Sequence, residues 1–80
     1  MEGTIPAEVA LALGKMYFEG VGTEKDLVKA KVYLEQSADA EYVEAIFLMG
    51  RLLDETGDSE ANNWYQRAAD KGSADAQEAI

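Results

Sequence analysis

Sixteen of the 80 residues are aspartate or glutamate, so carboxylates are the one reactive side-chain chemistry the chain holds in quantity. Two carboxylates at a fixed separation can serve as general acid and base, and several converging on one point can hold a hard cation. The segment Asp54-Glu55-Thr56-Gly57-Asp58-Ser59-Glu60 has the look of a calcium loop. Counted from Asp54, however, the sixth position is Ser59, where such a loop needs glycine for its sharp turn. The twelfth is Tyr65, where it needs a bidentate glutamate. Capping acids in a helix-to-helix turn account for the segment better. Gly20-Val21-Gly22-Thr23-Glu24-Lys25 has the glycines of a phosphate loop, but it follows a helix and lacks the Gly-Lys-Ser/Thr ending; a turn is expected. Ser37, Ser59 and Ser73 have no base to activate them, because the chain contains neither histidine nor cysteine. The absence of cysteine excludes disulfides and thiolate metal sites. Carboxylate pairs on so acidic a surface arise by chance, so the expectation is a protein without catalytic residues, cofactor or metal.

The formal net charge of −9 narrows the partners. Phosphate backbones and anionic lipid surfaces are both repelled by it, so neither nucleic acid nor membrane is expected. An acidic surface suits solubility or a basic partner. No apolar run approaches a membrane span. The opening Met1-Glu2-Gly3-Thr4-Ile5-Pro6 lacks the basic-then-apolar pattern of a secretory leader, which makes the cytoplasm the expected compartment. Eighty residues allow a single domain, 1–80, of modest stability.

The elements that would position any site are helical. Val9, Leu13, Met16 and Tyr17 form one stripe at helical spacing, with Ala10 and Leu11 beside it. Pro6 suits a first turn, and Gly20-Val21-Gly22 ends the helix. Asp26 is a good N-cap for a second helix carrying Leu27, Ala30, Val32, Tyr33, Leu34 and Ala38. A third helix is expected from about Glu41 to Glu55, stopped by Gly57. Asp58 or Ser59 caps a fourth that carries Ala61, Trp64, Tyr65, Ala68 and Ala69 and ends at Gly72. Ser73 starts a final stub, Ala74 to Ile80. No alternating β-branched pattern appears, so the fold class is all-α.

The chain also repeats itself. Glu44-Ala45-Ile46-Phe47-Leu48-Met49-Gly50 echoes Glu8-Val9-Ala10-Leu11-Ala12-Leu13-Gly14, 36 residues earlier. Ala30, Tyr33 and Ala38 return as Ala61, Trp64 and Ala69, 31 residues later, and the same offset carries Ala45 onto Ala76. The second unit therefore has a connection about five residues shorter, and residues 73–80 begin a third. Two helices per unit at this period predict an α-solenoid of antiparallel helix pairs. Gly14 and Gly50 are expected where a neighbouring helix comes close, with Ala30, Ala38, Ala61 and Ala69 serving the same end on the partner helices. Tyr17, Tyr33 and Trp64 would fill the spaces between, and Met16 and Met49 would lie in the core.

Leu13-Gly14-Lys15-Met16-Tyr17, Gly20-Val21-Gly22 with Asp26, Ala30, Tyr33-Leu34 and Ser37-Ala38 together resemble the Sel1-like repeat family, a relative of the tetratricopeptide repeats. Met49-Gly50, Ala61, Trp64-Tyr65, Ala68-Ala69 and Gly72 carry the likeness through the second unit. The units fall at about 6–40 and 41–72. The second unit lacks the Gly-x-Gly…Asp loop, and Glu41 stands where Gly72 stands one unit later.

The resemblance implies a protein-binding adaptor or scaffold whose first helices line a concave groove. The groove positions are Glu8, Leu11, Lys15, Phe18 and Glu19, matched by Glu44, Phe47, Arg51, Asp54 and Glu55. Leu11 and Phe47 are equivalent, as are Lys15 and Arg51. An apolar strip flanked by two cations would suit a peptide bearing a hydrophobic side chain and a carboxylate. The competing arrangement packs Leu11 and Phe47 between helices and pairs Lys15 with Glu19 and Arg51 with Glu55 along the helix. The competing role is a structural or self-associating spacer within a longer repeat protein.

Overall fold

The computed structural model describes residues 5–79 and consists, over that span, of five helices: α1 (Ala7–Glu19), α2 (Leu27–Asp39), α3 (Val43–Glu55), α4 (Ala61–Asp70) and α5 (Ala74–Ala79). The readings made on Met1–Thr4 and on Ile80 lie outside the described residues. Helix α1 packs on α2, α3 on α4, α2 also on α3, and α4 on α5, while α1 touches α3 lightly. This is the all-α helix-pair solenoid expected, with the short α5 packed on α4 after the second pair.

Each unit closes around a missing side chain. A Cβ on Gly14 would lie 2.6 Å from Leu34 Cδ2, and one on Gly50 would lie 2.8 Å from the Tyr65 ring. Leu34 and Tyr65 are themselves 31 residues apart and both buried. The glycines thus admit a large side chain of the second helix rather than its backbone alone. Around them run two apolar clusters. Phe18, Ala30, Leu34, Leu48, Met49, Leu52, Leu53, Ala61 and Tyr65 form the first. Ala38, Ala45, Ile46, Ala68 and Ala76 form the second, toward the C-terminal end. In the fourth helix Ala68, not Ala69, is the fully buried alanine, standing at the register of Ser37. Tyr17 and Tyr33 stack in parallel with centroids 5.9 Å apart, and Trp64 is half-buried beneath Arg67.

The caps explain the boundaries. The Asp26 carboxylate accepts hydrogen bonds from the backbone N–H groups of Val28 and Lys29, and Ser73 Oγ accepts from Ala76 N–H. Helix α4 has neither expected cap: its N-cap is Glu60, which makes no side-chain cap hydrogen bond, and the Asp58 carboxylate accepts at 2.9 Å from the Glu60 N–H, ahead of the helix. The shorter second connection draws on two sources. The α1–α2 link has seven residues and the α3–α4 link five, while α4 has ten residues against thirteen in α2. Helix α4 has lost its first turn.

Helix α3 starts at Val43, two residues later than expected from the sequence. The reason is Glu41, which takes a left-handed conformation with φ 68°. Tyr42 N–H donates to Ser37 C=O, as Ser73 N–H donates to Ala68 C=O around Gly72 at φ 100°. The geometry is a Schellman turn in both units, and the glutamate carries a Cβ where glycine is easy. Its carboxylate pairs with Lys71, which holds it below the usual carboxylate range.

Two stability outcomes follow. Gly50→Ala gains about 1 kcal/mol of helix propensity, but the buried Tyr65 ring has to move, and overpacking of this kind costs about 1–3 kcal/mol. A net fall in chemical-denaturation stability is expected; an unchanged or raised midpoint would mean the helices separate freely. Glu41→Gly relieves the left-handed Cβ and is expected to raise Tm by roughly 2–6 °C in a thermal melt. A fall would show that the Glu41–Lys71 pair outweighs the backbone.

Candidate protein-binding groove

Because α2 and α4 pack on one side of α1 and α3, the free edges of the first helices line up. Lys15 and Glu19 from α1, Val43, Glu44, Phe47, Leu48 and Arg51 from α3, and Ser73 and Asp75 at the start of α5 line a groove of about 390 Å³. It crosses the first helices of both units and reaches the start of α5. Five of the ten expected positions lie in it: Lys15, Glu19, Glu44, Phe47 and Arg51.

The other five are placed around it or away from it. Glu8 and Leu11 line a shallower depression along α1 that shares Lys15 and Glu19 with the groove. Glu8 also faces Tyr42, whose hydroxyl is held above its usual value first by burial and then by that carboxylate. Asp54 stands beside Tyr65, which is raised by burial first and by Asp54 second. Glu55 is taken by Lys25 from the loop after α1.

Phe18 is a correction. It is only 3% exposed and belongs to the core. The physical reason is its spacing: Ala10, Gly14 and Phe18 fall four residues apart, on the face that α1 turns toward its neighbours. That spacing was present in the sequence and is the signal that would have found it. The exposed Asp54, at the equivalent position one unit later, masked it.

The two cations behave differently. Lys15 donates to Glu44 across the helices at 2.9 Å, not to Glu19 along its own helix. The Arg51 guanidinium lies over the Phe18 ring, 5.3 Å from its centroid, and has no ion-pair partner among the described residues. The ring face attracts the guanidinium by a cation–π interaction that uses none of its N–H donors. Phe47 is half-buried, its ring tilted 45° against Tyr65, and Leu11 is half-buried between the two clusters. The groove offers one unpaired cation among the described residues, a Lys15–Glu44 pair, and the half-buried ring of Phe47 above the buried Leu48. No cluster of three metal-ligating side chains occurs among the described residues, and no helix there is long and apolar enough to cross a membrane.

A groove across the first helices of stacked helix pairs defines a tetratricopeptide-like repeat module. Two consecutive Sel1 repeats match, at residues 7–42 and 43–73, and the chain belongs to the Sel1 repeat family. The crystal structure of a Sel1 repeat protein from Oxalobacter formigenes is similar, with a TM-score of 0.79 and 28% identity. That match covers 91% of this chain and 59% of the other, so the chain spans under two-thirds of that protein's length. Comparison with curated proteins returns no match. Sel1 repeats are, in general, protein–protein interaction modules.

The Lys15–Glu44 pair has a definite pH signature. The Lys15 ammonium is raised above its ordinary 10.5 first by the hydrogen bond to Glu44 and then by the charges of Glu44 and Glu19. A raised lysine contributes stability that is fully present below 10.5 and is lost as pH rises through the folded-state pKa. In an NMR titration, Glu44→Gln should bring Lys15 back toward its ordinary value. A double-mutant cycle at neutral pH should give less than about 1 kcal/mol, because both groups are solvent-screened. An unchanged Lys15 titration would show that the pair does not form in solution.

Proposed function

We propose that the chain is a non-catalytic adaptor or scaffold module that holds a peptide segment of a partner protein in the groove between α1, α3 and the start of α5. The observation that carries this reading is Arg51. It lies over the Phe18 ring inside the groove, beside the half-buried Phe47, and is without an ion-pair partner among the described residues. A guanidinium so placed suits a carboxylate, which it can engage through two parallel hydrogen bonds, while an adjacent apolar side chain of the same peptide covers Phe47. The pairing of Lys15 with Glu44 leaves Arg51 as the anchoring cation, in place of the two equal cations expected from the sequence.

The test is a pull-down from the source organism's lysate, with the parent chain as bait and Arg51→Glu and Phe47→Ala as controls. Helicity of each bait is checked by circular dichroism. A partner retained by the parent and reduced at least tenfold by Arg51→Glu supports the reading; tenfold corresponds to about 1.4 kcal/mol. Equal retention by all three baits, or no partner at all, overturns it and favours a spacer role.

A further inference from the structure

Val28 and Val32 stand one turn apart on α2 and are 76% and 50% exposed. Met16, expected in the core, is also exposed, at 38%, but it borders the depression along α1 and not these valines. Single exposed apolar residues are ordinary; a pair of them beside an apolar hollow is not. Val28 and Val32 edge a notch of about 370 Å³ between α2 and the end of α3. The half-buried Leu27 lines it beside them, and the buried Leu52 and Leu53 close its floor. It shares no residue with the groove.

The notch lies where the two units differ. In the first unit Leu27 and Val28 open α2, and Leu27 packs on the core. Thirty-one residues on stand Asp58 and Ser59, which lie outside α4, because α4 begins only at Ala61. Asp58 borders the notch. The second unit thus has a turn bearing a carboxylate where the first has an apolar helical turn.

Charge decides what suits the space. Its rim carries Lys31 against Glu35 and Asp58, none of them in an ion pair among the described residues. The carboxylates outnumber the cation, and the net charge of −9 adds to their attraction for a basic segment. A second copy of the chain would bring the same −9 and be repelled. A helix suits the place of a missing helical turn, and a helix laid in an apolar hollow anchors through side chains at i, i+3 and i+4.

We infer that the notch between α2 and the end of α3 is a docking surface for a basic amphipathic helix of a partner protein, which sets an aliphatic side chain between Val28 and Val32 and lysine or arginine against Glu35 and Asp58. The surface is separate from the groove and does not depend on the groove's ligand.

The probe is an alanine-based peptide of about 15 residues, long enough to hold a helix, with two leucines one turn apart flanked by lysines. Titrated into the full chain, it should shift the methyl resonances of Val28, Val32 and Leu53 in an NMR spectrum and leave the Phe47 ring resonances in place. Val28→Ser with Val32→Ser should weaken binding at least tenfold while moving Tm by less than about 4 °C, as exposed substitutions do. Glu35→Lys should weaken the lysine peptide and strengthen a version with glutamate in place of lysine. No shift at these methyls, a shift that survives the two serines, or equal binding of the lysine and glutamate peptides to the parent overturns the inference. So does a parent chain that light scattering shows to be a dimer broken by the two serines, because the occupant would then be a second copy.

Discussion

The close approach of paired helices at Gly14 and Gly50 is the constraint on which the rest depends. A glycine inside a helix costs about 1 kcal/mol relative to alanine. Here each one admits a fully or nearly fully buried side chain, Leu34 or Tyr65, and burying such a side chain contributes about 1.5–3 kcal/mol. The exchange is favourable only if no Cβ stands between the helices. It also sets the distance within each pair, and through that distance it decides which edges of α1 and α3 stay open. The groove is what remains of the first helices once the second helices have been drawn against their glycine faces.

Stacking of one pair on the next rests on different residues. Ala30 and Ala38 are small and buried, and they let α2 lie against α3 while it is still packed on α1. A helix that serves two neighbours needs small residues on more than one side. Ser37 shows the tolerance of this arrangement: it is fully buried, its Oγ has no hydrogen-bond partner, and the next unit has Ala68 in its place. Here small size governs the position, and the hydroxyl contributes no contact.

Much of the fold was legible because it is written in local and periodic terms. The helix count, the repeat, the packing glycines and the Asp26 and Ser73 caps all follow from spacing and from which side chains can satisfy a free N–H. What escaped is conformational or long-range. Glu41 has no intrinsic preference for a left-handed backbone, and the Schellman bonds at a helix end impose it. The start of α3 was misplaced for that reason. Lys15 has Glu19 within reach along its own helix, yet it pairs with Glu44, 29 residues away, a choice that only the crossing of α1 and α3 determines. Phe18 and Met16 were exchanged in burial because a wheel identifies apolar arcs without saying which arc has a neighbour.

The acidity of the chain bears on how the groove would select. Its lining carries Lys15 and Arg51 against Glu19, Glu44 and Asp75, so the long-range field there is not cationic even though Arg51 is locally available. Distant negative charge slows the approach of an acidic segment and is screened within about 8 Å at physiological salt. A short-range bidentate contact to a guanidinium is much less screened. Under the proposed function, a ligand that suits both scales would be mixed in charge: one carboxylate at Arg51, basic residues toward Glu19 and Asp75, and an apolar side chain over Phe47. On the proposed function, such a groove would discriminate by arrangement more than by net charge, because a uniformly acidic peptide would meet the surrounding carboxylates and a uniformly basic one would leave Arg51 unpaired against like charge.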